Sequence, residues 1–172
     1  FRDQEFSADL NSRAIKRIDD VNQLRTFQFP EDAGPMSHPI RPSSYIEINN
    51  FYTVTIYEKG AEVIRMLHTI LGETGFQKGV KLYFERHDGQ AATTDDWLKA
   101  MEDANDVKLT QFQNWYKQSG TPEVFAHWTR SQDDKTWSLT LRQSCPATPG
   151  QQEKDNFVIP VRFALFDLAG TK

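Results

Sequence analysis

The stretch NNFYTVTIYEKGAEVIRMLHTILG, residues 49–72, carries two tyrosines, Tyr52 and Tyr57, where a strongly apolar helix is expected to begin. A phenol stays protonated at neutral pH and can donate a hydrogen bond. Aimed at an oxygen that becomes negative in a transition state, that donor supplies several kcal/mol of stabilisation. The same residues admit a plainer reading, an aromatic packed in the core with its hydroxyl satisfied. Helical periodicity alone favours the plainer reading for Tyr57, and both stand at this level.

Other residue types capable of chemistry are present without the spacing that chemistry needs. A catalytic zinc takes about three protein ligands, but His38, His68, His87 and His127 are dispersed and no His-Glu-x-x-His occurs. Each reads as a surface or partly packed side chain. His68, near the end of an apolar helix, reads as a favourable charge at that end. Cys145 lies in the polar segment RQSCPATP with no histidine close by in sequence, and reads as a spare thiol. There is no Gly-x-Ser-x-Gly, and ETGFQKG lacks the Gly-Lys-Ser/Thr ending of a phosphate loop. The carboxylates are many but scattered.

Composition narrows the class. The 172 residues can bury a real core, and the aromatic share of 12% belongs to a globular chain rather than a disordered one. The net charge of -4 is mild and acidic and basic residues are interspersed, so nucleic acid is not an expected partner. No apolar run approaches the roughly 20 residues of a membrane span. The single cysteine leaves no internal disulfide and fits a reducing compartment. Both ends look cut: FRDQEF resembles neither an initiator segment nor a signal peptide, and FALFDLAGTK stops where a hairpin partner is expected. The chain therefore reads as an excerpt of a larger protein.

The elements that must hold the tyrosines follow from periodicity. Residues 7–27 predict a helix with Ser7 as N-cap and Leu10, Ala14, Ile18, Val21 and Leu24 as its apolar stripe. FPEDAGPMSHPIRPSS is broken by prolines and reads as a loop too long to be a mere connection. Residues 53–71 predict a helix packed on several sides, stopped by Gly72. Further helices are expected over 75–86, from Thr94 as N-cap with Asp95 and Asp96 in the first turn, and over 110–118. After Gly120-Thr121-Pro122 the period changes to two. Strands are expected at 124–129 and in TWSLTLRQ, with DDK as the hairpin turn between them, and a further strand in FVIPVRFALFDL. The organisation expected is a helical part, 1–120, followed by an antiparallel β part, 121–172.

The tyrosine segment closely resembles the corresponding segment of the M1 zinc aminopeptidases, particularly their bacterial branch. FRDQEFSADLNSRAIKRI, FPEDAGPMSHPIRP, FQKGVKLYFERHDGQAATTDDW and WYKQSGTPE also resemble consecutive pieces of such enzymes, so the likeness covers essentially the whole chain. Tyr-x-Lys-Gly followed by Val-x-x-Met-Leu is its most specific part. The resemblance implies an α+β chain: the mostly helical C-terminal half of a thermolysin-like catalytic domain, followed by the first strands of a β-sandwich domain. It implies a zinc-dependent enzyme that removes N-terminal residues from peptides, with the zinc ligands and the amine-recognition segment outside this chain. Tyr57 falls on the tyrosine whose hydroxyl stabilises the tetrahedral intermediate, and Tyr52 on one that lines the pocket for the first substrate side chain. Asn49 and Glu58 are possible supporting residues without assigned roles. No metal is expected on this chain alone, nor activity. The branch it resembles is cytoplasmic. Its exposed apolar surface, expected on the 53–71 helix, predicts self-association. The contrasting reading is a non-catalytic helical and β interaction module from a relative without a metal site.

Overall fold

A computed structural model describes residues 1–131, 136–166 and 169–170. Helices occupy the first part of the chain. α1 (Arg2–Leu10) and α2 (Arg13–Gln23) lead through a π turn, Leu24–Gln28, into the short α3 (Phe29–Ala33). A 3-10 turn, Ile48–Phe51, and a second π turn, Thr55–Lys59, precede α4 (Gly60–His87). α5 (Thr94–Asn105), a 3-10 turn at Gln111–Gln113 and α6 (Asn114–Lys117) complete the helical part. β1 (Glu123–Arg130) then pairs antiparallel with β2 (Trp137–Ser144), Glu123 opposite Ser144 and Arg130 opposite Trp137. The α+β class expected from the sequence is what the chain adopts.

The core lies between α4, α5 and α6. Val63, Leu67, Phe76, Leu98, Met101, Leu109, Phe112, Trp115 and Tyr116 form it, closed from the β part by Phe157. Gly79 of α4 permits the closest helix approach, because a Cβ there would lie 3.2 Å from the Met101 Cα. The expected stop at Gly72 is a kink. Its φ of 69° suits glycine, and α4 continues beyond it into the segment expected as a separate helix.

The first expected helix is two. Ser12, not Ser7, is the cap that matters, its hydroxyl accepting from the Ile15 N–H at 3.4 Å at the start of α2. The apolar stripe is not the buried face either: Leu10, Ala14 and Ile18 are exposed, whereas Asp20 is buried. Charge pairing orients this hairpin. Arg17 meets Glu62 at 2.6 Å, and Arg65 reaches Glu5 at 2.5 Å and Gln4 at 3.0 Å. At α5 the cap is Thr93 rather than Thr94. Thr93 Oγ1 accepts from the Asp96 N–H, and the Asp96 carboxylate accepts from the Thr93 N–H at 2.8 Å, a reciprocal box.

The expected turn DDK lies outside the described residues. The strand expected in FVIPVRFALFDL does not form over the described residues 157–166. Side chains claim its backbone instead. Gln143 bonds both the N–H and the C=O of Phe157 at 2.8 Å, and the Trp115 indole donates to the Val158 carbonyl at 2.8 Å. Among the described residues no helix is long and apolar enough to cross a membrane.

Candidate active site

Tyr57 stands in the middle of the π turn Thr55–Lys59, closed by the Gly60 N–H bonding back to the Thr55 carbonyl. A π turn inserts one residue into a helix and recurs at functional sites. Tyr52 ends the preceding 3-10 turn, its N–H on the Asn49 carbonyl at 3.2 Å. That turn is capped reciprocally by Glu47 and Asn50. The two rings are stacked, 5.9 Å between centroids and 25° between planes. Both are open to solvent, Tyr57 at 56% and Tyr52 at 68%. The structure thus brings the two sequence-singled phenols onto one surface and leaves Tyr57 outside the core that periodicity favoured.

Beneath the rings the packing is polar. Thr53 caps the turn from below, its hydroxyl accepting from the Ile56 N–H at 3.2 Å. His38 braces Thr53: Nε2 lies 2.9 Å from the Thr53 hydroxyl, while Nδ1 lies 2.9 Å from the Met36 carbonyl and must donate to it. Thr55 is fully buried. Its N–H and hydroxyl both donate to Glu31, at 3.0 and 2.6 Å, and Gln28 donates to its hydroxyl at 3.3 Å.

At the other end of the turn, Lys59 is buried and donates to Asp32 at 2.6 Å and to the Gly120 carbonyl at 3.0 Å. Asp32 also accepts from Gln28 (3.1 Å), Ser37 (3.2 Å) and the Gly120 N–H (2.6 Å). Burial pushes the Asp32 carboxyl up, but the Lys59 charge and these donors outweigh it and hold the group below its ordinary value. Sequence reading assigned none of Gln28, Glu31, Asp32, Ser37 and His38 a role. The one signal available was the length of the proline-broken loop that carries four of them.

The remaining candidates are elsewhere. His68 does not simply cap a helix; it bonds Glu73 at 2.7 Å across the Gly72 kink. His87 packs against the Tyr83 ring and His127 sits on β1 opposite Thr140. Cys145 is half-buried beside the Ser119 carbonyl, and burial pushes its thiol up, away from the reactive thiolate. Asn49 contributes its carbonyl to the Tyr52 turn. Among the described residues no three His, Cys, Asp or Glu side chains converge to hold a metal, so the donors here do not fit a zinc ion.

The peptidase family M1 domain matches residues 2–116, and a domain of unknown function (DUF3458) with an Ig-like fold matches residues 120–172. Aminopeptidase N of Haemophilus influenzae is 60% identical over all of the chain, which covers 20% of that relative. Aminopeptidase N of Escherichia coli is 58% identical over 99% of the chain, again 20% of the relative. The chain thus spans about a fifth of the length of these curated relatives. The crystal structure of Legionella pneumophila aminopeptidase A in complex with aspartic acid superposes with a TM-score of 0.59 at 25% identity, covering 73% of this chain and 16% of that one. The sequence match over the helical part and the shared fold lead to one conclusion: the chain belongs to peptidase family M1.

Proposed function

We propose that the intact protein is a zinc-dependent aminopeptidase that hydrolyses N-terminal residues from peptides, and that this chain supplies its oxyanion donor, Tyr57. The observation that carries the reading is the solvent-open Tyr57 ring on a π turn inside Tyr-x-Lys-Gly, stacked on Tyr52, in a chain of the M1 family. Zinc in such an enzyme supplies Lewis-acid activation of the attacking water. What this chain contributes is a fixed phenolic O–H. It donates to the carbonyl oxygen as that oxygen gains charge, a bond stronger in the transition state than in the ground state. Tyr52, beside it, lines the pocket for the first substrate side chain.

The chain then divides at about residue 120. Residues 1–120 complete a catalytic domain and 121–172 begin a β-sandwich. Residues outside the chain hold the zinc, so the chain alone neither binds catalytic zinc nor turns over. The single cysteine and the bacterial relatives favour a cytoplasmic site of action.

Tyr57→Phe in the intact protein tests the assignment. Removing one oxyanion donor lowers kcat by about 100-fold or more, with the melting temperature nearly unchanged because the hydroxyl is not part of the packing. Tyr52→Ala raises KM with a smaller change in kcat. Wild-type kcat in Tyr57→Phe, measured on an aminoacyl anilide, sinks the reading.

A further inference from the structure

We propose that Asp32 is a positioning residue for Tyr57, acting through Lys59 to hold the π turn in register. The inference rests on the assignment of Tyr57 as the oxyanion donor. Tyr57 has one residue between it and each of two anchors. Toward the N-terminus, Thr55 is fixed by Gln28 and Glu31. Toward the C-terminus, Lys59 is fixed by Asp32. Gln28 joins the anchors, because its amide nitrogen donates both to Asp32 Oδ2 and to Thr55 Oγ1. Gln28 is itself the last residue of the other π turn, Leu24–Gln28. One buried polar knot therefore fixes both irregular turns.

The knot is fully satisfied. Asp32 Oδ2 accepts from Lys59 and Gln28, and Oδ1 from Ser37 and the Gly120 N–H, so the carboxylate's two oxygens each carry two bonds. Both side chains of the ion pair are nearly inaccessible, at 7% for Lys59 and 0% for Asp32. Desolvation makes such a pair a poor source of net stability, and apolar replacements of similar volume are commonly as stable. Its ionic bonds are better suited to defining geometry than to holding the fold. Geometry is what a π turn lacks on its own. Losing the inserted residue would restore an α-helix and rotate the preceding residues by about 100° about the axis. The Tyr57 hydroxyl would then leave the face it shares with Tyr52. The second ring of contacts reaches Gly120, where the chain passes from its helical part to its β part.

The test is a double-mutant cycle in the intact enzyme. Asp32→Asn is expected to lower kcat about 10- to 100-fold while KM changes less than about 3-fold on this reading of a transition-state-only contact. On a Tyr57→Phe background the same change is expected to cost nothing further, because the group it positions is gone. Asp32→Leu combined with Lys59→Met removes both charges and guards against a buried unpaired lysine. It is expected to fold with a lowered melting temperature, because Gln28, Ser37 and the Gly120 N–H lose their acceptor, and still to lose kcat. Wild-type kcat in this double variant, or an Asp32→Asn loss that recurs in full without the Tyr57 hydroxyl, overturns the inference. If Tyr57→Phe alone leaves kcat intact, the oxyanion assignment fails first, and the two failures are told apart.

Discussion

Two phenols of this chain illustrate how placement decides what a hydroxyl does. Tyr57 is open to solvent; Tyr116 is buried and its replacement is read in stability. Among the described residues the Tyr116 hydroxyl and the Trp97 indole N–H both lack hydrogen-bond partners. Burial pushes the Tyr116 phenol far up, and Trp97 offsets only part of that. An unsatisfied buried hydroxyl costs desolvation without return. Tyr116→Phe is therefore expected to leave the unfolding free energy within about 1 kcal/mol of wild type, or to raise it, by urea denaturation. Asp32 gives the pH counterpart. Its folded pKa is depressed, so its ionisation contributes stability that is complete above the ordinary carboxylate value and is lost as pH falls through the folded one. Glu5, held low by Arg13 and Arg65 against a desolvation that raises it, acts with the same sign. The stability gap between wild type and Asp32→Asn should thus shrink as the pH is lowered from 7 to 3, measured by urea midpoints. A gap that widens in acid contradicts the depressed carboxyl. The sequence exposed the two tyrosines because they share a local motif. It concealed Asp32, because residues 28, 32, 37, 59 and 120 meet only in three dimensions and obey no common period.

At the scale of elements, glycines decide where helices bend and how near they come. Gly72 alone permits the kink in α4, and sequence reading located it as a stop. Gly79 was silent in the sequence, since a glycine inside a helical pattern announces no partner. Its partner is Met101 of α5, completely buried, with Sδ 2.1 Å and Cα 3.2 Å from where a Cβ would stand. Moving the sulfur alone does not relieve the contact, because the Met101 Cα is also close and the backbone of α5 cannot yield without parting the helices. Gly79→Ala is expected to destabilise by about 1–3 kcal/mol despite the better helix propensity of alanine, seen as a lower thermal midpoint. A neutral or stabilising outcome would mean that α4 and α5 are not so close. The π turns were also illegible. An inserted residue shifts the phase of an apolar pattern by one position, and in a helix apolar on several sides that shift leaves no trace. The strand expected after Asn156 failed for a different reason. At its first two residues, Phe157 and Val158, Gln143 and Trp115 take the backbone groups, a competition that no local pattern encodes.

For the whole molecule, the exposed apolar side chains are spread over both parts of the chain, Tyr57 and Ile70 of the expected 53–71 helix among them. Val63 and Leu67, on the expected sticky helix, are buried within the chain. Leu10, Ile18 and Ile46 of the helical part are open to solvent, and so is a cluster of aromatics on the β part. Phe125, Trp128, Trp137 and Phe163 are all more than 40% exposed, and Trp128 meets Phe163 edge to face at 6.3 Å. A two-stranded sheet open on both faces is marginal in water and presents unpaired edges. The helical part supplies most of the core, which Phe157 closes from the β part, and adds the ionic contacts around Arg65. These two halves should respond differently to isolation. The chain by itself is expected to associate through its β part, with light scattering showing a mass that rises with concentration and far-UV helicity unchanged. Trp128→Lys with Phe163→Lys, both at exposed positions, should shift the association to higher concentration by about 10-fold or more, because charge on the open face opposes contact. Leu10→Lys and Ile18→Lys, equally exposed but on α1 and α2, serve as the comparison and should leave it in place. If the α1–α2 pair abolishes association and the β pair does not, the helical hairpin is the adhesive surface, and the β part holds itself together better than its open faces imply.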